Sequence, residues 1–506
     1  MGELKLKFYR IGRDAWLPET ANLSVYLKID NWNDYNFKTL YQITLFDENS
    51  NKYDLGNIKI ANFGQTEEKR IELPEEFESL SEQYFSLGQS VEYYATIQSL
   101  NPELREQLLI GLCDIVYNET LQEKALLEEV TKKSLLRDTS LASIKGQYKR
   151  ILDGGATLTK YNFKYKTKQT ETEAGFKLEF NVNPESNPPT NIHVLIGRNG
   201  VGKTHLLNNM VKTLINDENS QGEFNQIRDE WSNPDEEFFS SVVSVSYSVF
   251  DPFTPHSEEI NKTESFKYSY IGLKKRDGTL KNSDLLAKEF FKSIKHSFGV
   301  GKKEKWINAV KSLNSDPLFS QINIIQLSDE PLNETRVLRV FKRLSSGHAI
   351  VLLTITKLVE TIEEKTLVLL DEPEGHLHPP LLSAFIRALS DLLKNRNAVA
   401  IIATHSPVIV QEVPKSCVYK LSRFGLEVKA ERPEIETFGE NIGTLTREIF
   451  GLEVAESGFH KLLKEEVENG LNFRDITQKY NKQLGFEAKL LLRALLIDDD
   501  ADEELF

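Results

Sequence analysis

The eight residues Gly197-Arg198-Asn199-Gly200-Val201-Gly202-Lys203-Thr204 constrain this chain more than any other stretch. They follow an apolar run, Ile192 to Ile196, and precede a helix-like run, His205 to Ile215. Strand, glycine-rich turn and helix in that order form a unit of α/β architecture. The glycines let successive backbone N–H groups converge at a helix N-terminus, where negative charge is stabilised. Lys203 supplies a cation suited to β and γ phosphates, and the Thr204 hydroxyl can ligate Mg²⁺. His205 is counted with the loop. The ordinary alternative is a glycine-rich turn before an ordinary helix.

Two further stretches carry related chemistry. Thr366 to Asp371 is an apolar strand ending in two carboxylates, Asp371 and Glu372, an arrangement that sets one acid near Mg²⁺ and the other near an attacking water. Alone, it reads equally well as a buried strand with a polar exit. Leu344-Ser345-Ser346-Gly347-His348 opens an apolar helix from Ala349 to about Ile362, a second helix N-terminus able to receive an anion, although Ser is also a routine cap.

With these residues in place the sequence resembles the ABC ATPases, in which an LSGGQ-like signature precedes the acidic strand by about one helix. Ala400-Ile-Ile-Ala-Thr404-His405-Ser406-Pro407 resembles the switch histidine of that family. The resemblance implies ATP and Mg²⁺ as cofactors, Lys203, Glu372 and His405 as catalytic residues, and Thr204 and Asp371 as metal ligands. Residues Gly197 to His205, with Ser345, Ser346 and Gly347, are its nucleotide contacts. Because the signature of one subunit completes the P-loop site of another, it also implies a homodimer, with higher oligomers left open. The implied fold is α/β: an ABC-type P-loop head with a mainly parallel sheet, preceded by a β-rich and helical accessory region.

The segment Pro373-Glu374-Gly375-His376-Leu377-His378-Pro379 resembles the RecF, SMC and OLD-type branch, which works on nucleic acid or controls nucleases. Only about 140 residues separate Thr204 from Leu344, without the sustained heptads of an SMC arm. That compact order resembles the ATPases of bacterial phage-defence systems such as the Septu and OLD groups, over residues 156–455. Two departures stand out. No Gln follows the strand Val242 to Val249, leaving Ser246, Ser248 or Asp251 as substitutes, and His348 replaces the usual Gln or Glu of the signature.

Composition bounds the rest. A chain of 506 residues with 40% hydrophobic and 27% charged residues and no long apolar run reads as cytoplasmic, without membrane contact. A net charge of −14 argues against a surface uniformly built for nucleic acid. Cys113 and Cys417 read as small core residues. Expected domains are a β-rich region over 1–85, a helical segment over 86–155, the head over 156–455 with a helical insertion at about 257–340, and C-terminal helices with an acidic tail over 456–506. The polar stretch Asn216 to Glu237 reads as a surface insertion.

Several features read as decoys. Lys160, Lys164, Lys166 and Lys168 alternate with Tyr161, Phe163 and Tyr165, as in any half-buried strand, and only secondarily suggest a track for nucleic acid. Lys274 to Arg276 and Lys302-Lys303 read as solvated charges. His376 and His378 with Asp371, Glu372 and Glu374 suggest a transition-metal cluster only weakly. Ser86-Leu87-Gly88-Gln89 and Ile497 to Asp500 resemble a signature and a carboxylate cluster without their context. The expected function is an ATPase that gates a separately encoded effector, a nuclease or toxin, in phage defence. An ATP-locked scaffold and a RecF-like DNA-repair clamp are the alternatives, with DNA as partner in the last.

Overall fold

The computed structural model describes residues 5–67, 71–141, 143–154, 158, 160–169, 175–218, 220–227, 239–248, 253–256, 266–299, 302–314, 316–329, 331–394, 396–424, 427–455 and 458–503. The N-terminal unit is built on six strands: β1 (Lys7–Ile11), β2 (Ser24–Ile29), β3 (Leu40–Phe46), β4 (Lys52–Asn62), β5 (Glu76–Phe77) and β6 (Tyr84–Gly88). They lie in the order β5-β1-β2-β3-β4-β6, with β1 parallel to β2 and the other pairs antiparallel. Asp47 closes the β3 to β4 turn by accepting the N–H groups of Asn49 and Asn51, both at 2.8 Å. Ser86 to Gly88 is a buried part of β6, as its apolar neighbours require. Helices Val91–Ser99, Pro102–Gly111 and Glu119–Ala125 cover this sheet. The second starts where Asn101 Oδ1 accepts Glu103 N–H at 2.8 Å and Pro102 takes the first turn.

The second unit contains β7 (Tyr161–Thr167), β8 (Lys177–Val182), β9 (Ile192–Gly197), β10 (Gly222–Ile227), β11 (Ser241–Ser246), β12 (Lys267–Gly272), β13 (Thr366–Asp371), β14 (Val399–Thr404), β15 (Val418–Phe424) and β16 (Glu427–Glu431). Its central sheet runs β12-β11-β13-β14-β9-β15-β16 and is parallel except for β16. Alternate residues of the inner strands enter two cores. Val194, Val368 and Ile402 pack on helices Ser346–Thr361 and Pro379–Lys394, while Leu195, Leu369 and Ile401 pack on helix Lys203–Leu214 and on β7 and β8. A sheet covered on both faces explains why these strands read as unbroken apolar runs. The fold is the α/β P-loop head with a mostly parallel sheet that the sequence implies.

Three local readings change. Within the stretch 216–237, which reads as a surface insertion, residues 222–227 form β10 and pair antiparallel with β7 in a small sheet ordered β10-β7-β8. Residues 257–340 are not only helical, because β12 lies at the edge of the central sheet with Tyr268 and Ile271 buried. Lys274 and Lys302 are buried rather than solvated, and Lys302 Nζ donates to Glu360 O at 2.6 Å. Short strands that depend on distant partners leave little periodicity to read. Cys417 is buried, but Cys113 is only half-buried, in a left-handed turn at φ +53.

Tyr161, Phe163 and Tyr165 face the core, while Lys164 pairs with Glu179 at 2.9 Å and Lys166 lies 3.9 Å from Glu223. The chain ends in helices Ile442–Ala455, Gly458–Glu468, Phe473–Lys479 and Phe486–Glu503, with a small core of Leu463, Val467, Ile476 and Leu492. Ile497 to Asp500 lies in the last of these; its side chains, and Asp251, fall outside the described residues. No helix among the described residues is long and apolar enough to cross a membrane.

His193 on β9 is fully buried beside Phe180. Burial, with Arg432 adding to it, pushes the imidazole down from 6.5 to about 3. The folded state therefore keeps His193 neutral while the unfolded chain takes up a proton below its ordinary value, so stability falls as pH drops from 6.5 toward 3. The slope for this group is about 1.4 kcal/mol per pH unit. Urea midpoints of wild type and His193→Phe measured from pH 7 to pH 4.5 should show the wild type losing more; parallel curves would contradict this.

Candidate functional site

The glycine-rich turn leaves β9 with its backbone shaped for close approach. A Cβ on Gly197 would stand 2.2 Å from Leu421 O on the neighbouring β15. Gly200 and Gly202 adopt φ +78 and +101, a left-handed conformation that costs a side-chain-bearing residue free energy. Gly202 is the N-cap of helix Lys203–Leu214 and offers no side-chain acceptor to its first N–H groups, which face the turn. Lys203 is buried, with Nζ 2.9 Å from Gly197 O and 3.1 Å from Arg198 O. Burial lowers its ammonium to about 8, against the opposing pull of Glu372, Asp371 and Glu374.

Strand order brings the other groups to this loop. In the central sheet β14 lies between β9 and β13, so the ends of three parallel strands present Gly197, Thr404 and Asp371 side by side. Beyond β13, Glu372 adopts φ +45 and donates its N–H to Ala403 O at 2.9 Å, a left-handed non-glycine residue at the turn into Pro373–His376. Such strain costs on the order of 1–3 kcal/mol and clusters at functional sites. Glu372 Oε1 lies 3.0 Å from His405 Nε2, and Lys203 Nζ lies 2.8 Å from the same nitrogen. One imidazole nitrogen thus meets a carboxylate acceptor and an ammonium donor together.

Asp371 shares a cleft with Thr204 and with Ser246, which stands opposite Asp371 in the pairing of β11 with β13. These hydroxyl and carboxylate oxygens are hard donors of the kind Mg²⁺ takes together with phosphate oxygens. Asn199 to His205, Glu372 and His405 line a cavity of about 850 Å³. Ser345, Ser346 and Gly347 are not among its lining residues. They open helix Ser346–Thr361, where Ser345 Oγ caps His348 N–H and where a Cβ on Gly347 would stand 2.4 Å from His376 O.

Three groups at the site carried no sequence signal, and Glu374 carried none for the contacts it makes. Phe176, Thr167 and Arg423 line the cavity from strand ends distant in sequence. Glu374 Oε1 accepts Thr404 Oγ1–H at 2.6 Å and His405 N–H at 2.7 Å, holding the histidine loop in place. The suggested grouping of His376 and His378 with Asp371, Glu372 and Glu374 does not form. His378 instead faces Asp316, as does His348, because the turn after Glu374 directs it toward the helical layer. Removing the Glu374 carboxylate leaves the His405 N–H without its acceptor, which costs about 1–3 kcal/mol. Glu374→Ala should lower the thermal midpoint accordingly and Glu374→Gln much less; equal losses in both would contradict this account.

The family described as "AAA domain, putative AbiEii toxin, Type IV TA system" matches residues 222–411. Structural similarity extends to an ATP-binding cassette of an ABC transporter in its ADP conformation, with a TM-score of 0.30 and 14% identity over 58% of this chain and 99% of that one. It extends also to UvrA2 from Deinococcus radiodurans, with a TM-score of 0.28 and 14% identity over 56% and 39% of the two chains. The family match and the α/β P-loop head described above make this an ATP-binding P-loop ATPase domain. Protein ea59 of Escherichia phage lambda is 42% identical over 98% of this chain and 99% of its own length. The chain therefore belongs to the family of the phage lambda protein ea59.

Proposed function

We propose that this chain hydrolyses ATP with Mg²⁺ in a site shared between two copies, and that the resulting opening and closing gates a separately encoded effector, a nuclease or toxin, in defence against phage. The convergence of Lys203, Asp371, Glu372 and His405 beside the Gly197 to Thr204 turn carries the reading. The loop N–H groups and Lys203 hold phosphates, Thr204 and Asp371 hold Mg²⁺, and Mg²⁺ supplies neutralisation of phosphate charge. Glu372 orients the attacking water. His405, anchored through Glu374, senses the γ phosphate, and Phe176 at the cavity rim offers a face for the base. A cavity without Ser345, Ser346 or Gly347 in its lining supports completion of the site by the signature of a second copy.

The family description names a toxin and a toxin–antitoxin system, and a relative is encoded by a phage, which supports a role in conflict between replicating elements. Exclusion of a competing phage is the form of defence that suits such an origin. An ATP-locked scaffold with slow hydrolysis remains the second reading, favoured by the lack of a Gln after β11, where Ser246, Ser248 or Asp251 is left as the substitute, and by His348 in the signature. Of the four lysines that motivated a DNA clamp, Lys164 and Lys166 are paired with Glu179 and Glu223, which lessens the charge they would offer to nucleic acid.

Glu372→Gln should reduce steady-state ATP hydrolysis by about 100-fold or more while retaining ATP binding. It should also accumulate an ATP-dependent dimer in light scattering. Near-equal hydrolysis by wild type and variant would remove the proposed chemistry, and a monomer at saturating ATP would remove the shared site.

A further inference from the structure

Asp316, His348 and His378 come from three separate elements and meet at one point. Asp316 caps helix Pro317–Ile322, His348 sits in the first turn of helix Ser346–Thr361, and His378 precedes helix Pro379–Lys394. Asp316 Oδ1 lies 2.9 Å from His348 Nε2, and Asp316 Oδ2 lies 3.3 Å from His378 Nε2. One donor atom from each residue falls within 4.8 Å of the other two. Nitrogen and oxygen ligands at about 2.0–2.1 Å from a tetrahedral cation stand roughly 3.3 Å from one another, so small side-chain adjustments bring these atoms onto a common ion.

We propose that Asp316, His348 and His378 form a binding site for a divalent transition metal, Zn²⁺ in the first instance. Two imidazoles and one carboxylate are the mixed nitrogen and oxygen donors that favour such a cation over Mg²⁺ or Ca²⁺. An outer partner is present: His348 Nδ1 lies 2.6 Å from Ser345 Oγ, which can accept its proton and leave Nε2 to the metal. Phe319 packs edge-on against the His348 ring at 5.1 Å and holds its plane. His378 Nδ1 receives Leu381 N–H at 3.4 Å, longer than an ordinary N–H bond, so taking up a metal at Nε2 gives up only a weak contact. The Asp316 side chain is 2% exposed and that of His378 is 51%, which leaves one side open for metal entry and for water as a fourth ligand.

The ion would cross-link the helical layer, the signature helix and the loop that follows β13, at the place where Gly347 and His376 are already in close approach. The site does not depend on the nucleotide reading, so failure of the ATPase test leaves it standing. The test is calorimetric titration of the nucleotide-free full chain with Zn²⁺ in excess Mg²⁺, followed by Co²⁺ substitution and visible spectroscopy. Expected are one Zn²⁺ per chain, a raised thermal midpoint and the d–d bands of low-coordinate Co²⁺. His378→Asn, at a half-exposed position that leaves the cores intact, and Asp316→Asn should each weaken Zn²⁺ binding by about 100-fold or more. Asp371→Asn should leave it unchanged. No stoichiometric binding to the wild type would reduce the trio to a hydrogen-bonded network and overturn the proposal. So would Zn²⁺ retained by His378→Asn with a wild-type circular dichroism spectrum.

Discussion

Strand β14 pairs in parallel with β9 on one side and β13 on the other, and the placement of every reactive group in the head depends on it. The glycine-rich turn leaves β9, the paired carboxylates leave β13, and His405 leaves the strand between them. Parallel pairing puts all three exits at one end of the sheet, which is where open α/β sheets bind ligands. An antiparallel β14 would send His405 to the opposite end.

Strand ends alone would leave those side chains loosely aimed. Glu374 removes that freedom by accepting from both Thr404 and His405, joining the loop after β13 to the loop after β14. Glu372 is held in a left-handed conformation by its bond to Ala403 and by the Pro373 turn that follows. Strain at that residue persists because two neighbouring strands and a turn over-determine it.

The accessory unit is joined to the head through buried charge. Lys59 is fully buried between Asp34 at 2.7 Å and Asp138 at 3.3 Å, and Asp138 reaches His296 of the helical layer at 2.6 Å. Arg150 reaches Glu364 before β13 at 3.3 Å. Charges buried this deeply are costly unless every partner stays in place, which makes the joint specific in geometry rather than merely adhesive.

Much of the head was legible in sequence because its motifs are local. Gly197 to Thr204, Thr366 to Glu372 and Leu344 to His348 each hold their chemistry within a single strand end or helix start. Backbone rules tie residue type to position there. The strands β10 and β12 were not legible, being short and defined by partners far along the chain. Lys302 read as solvated because nothing nearby in sequence shows the carbonyl of Glu360 that receives it. Asp316, His348 and His378 were unreadable as a group for the same reason: their three elements converge only after the layers pack. The sequence by itself determined the kind of fold and the glycine-rich loop between β9 and its helix, because hydrophobic period and glycine conformation are local properties. Tertiary structure alone decided which carboxylate holds His405, where the cavity opens and which imidazoles share Asp316, because contact between distant segments follows from strand order and layer packing.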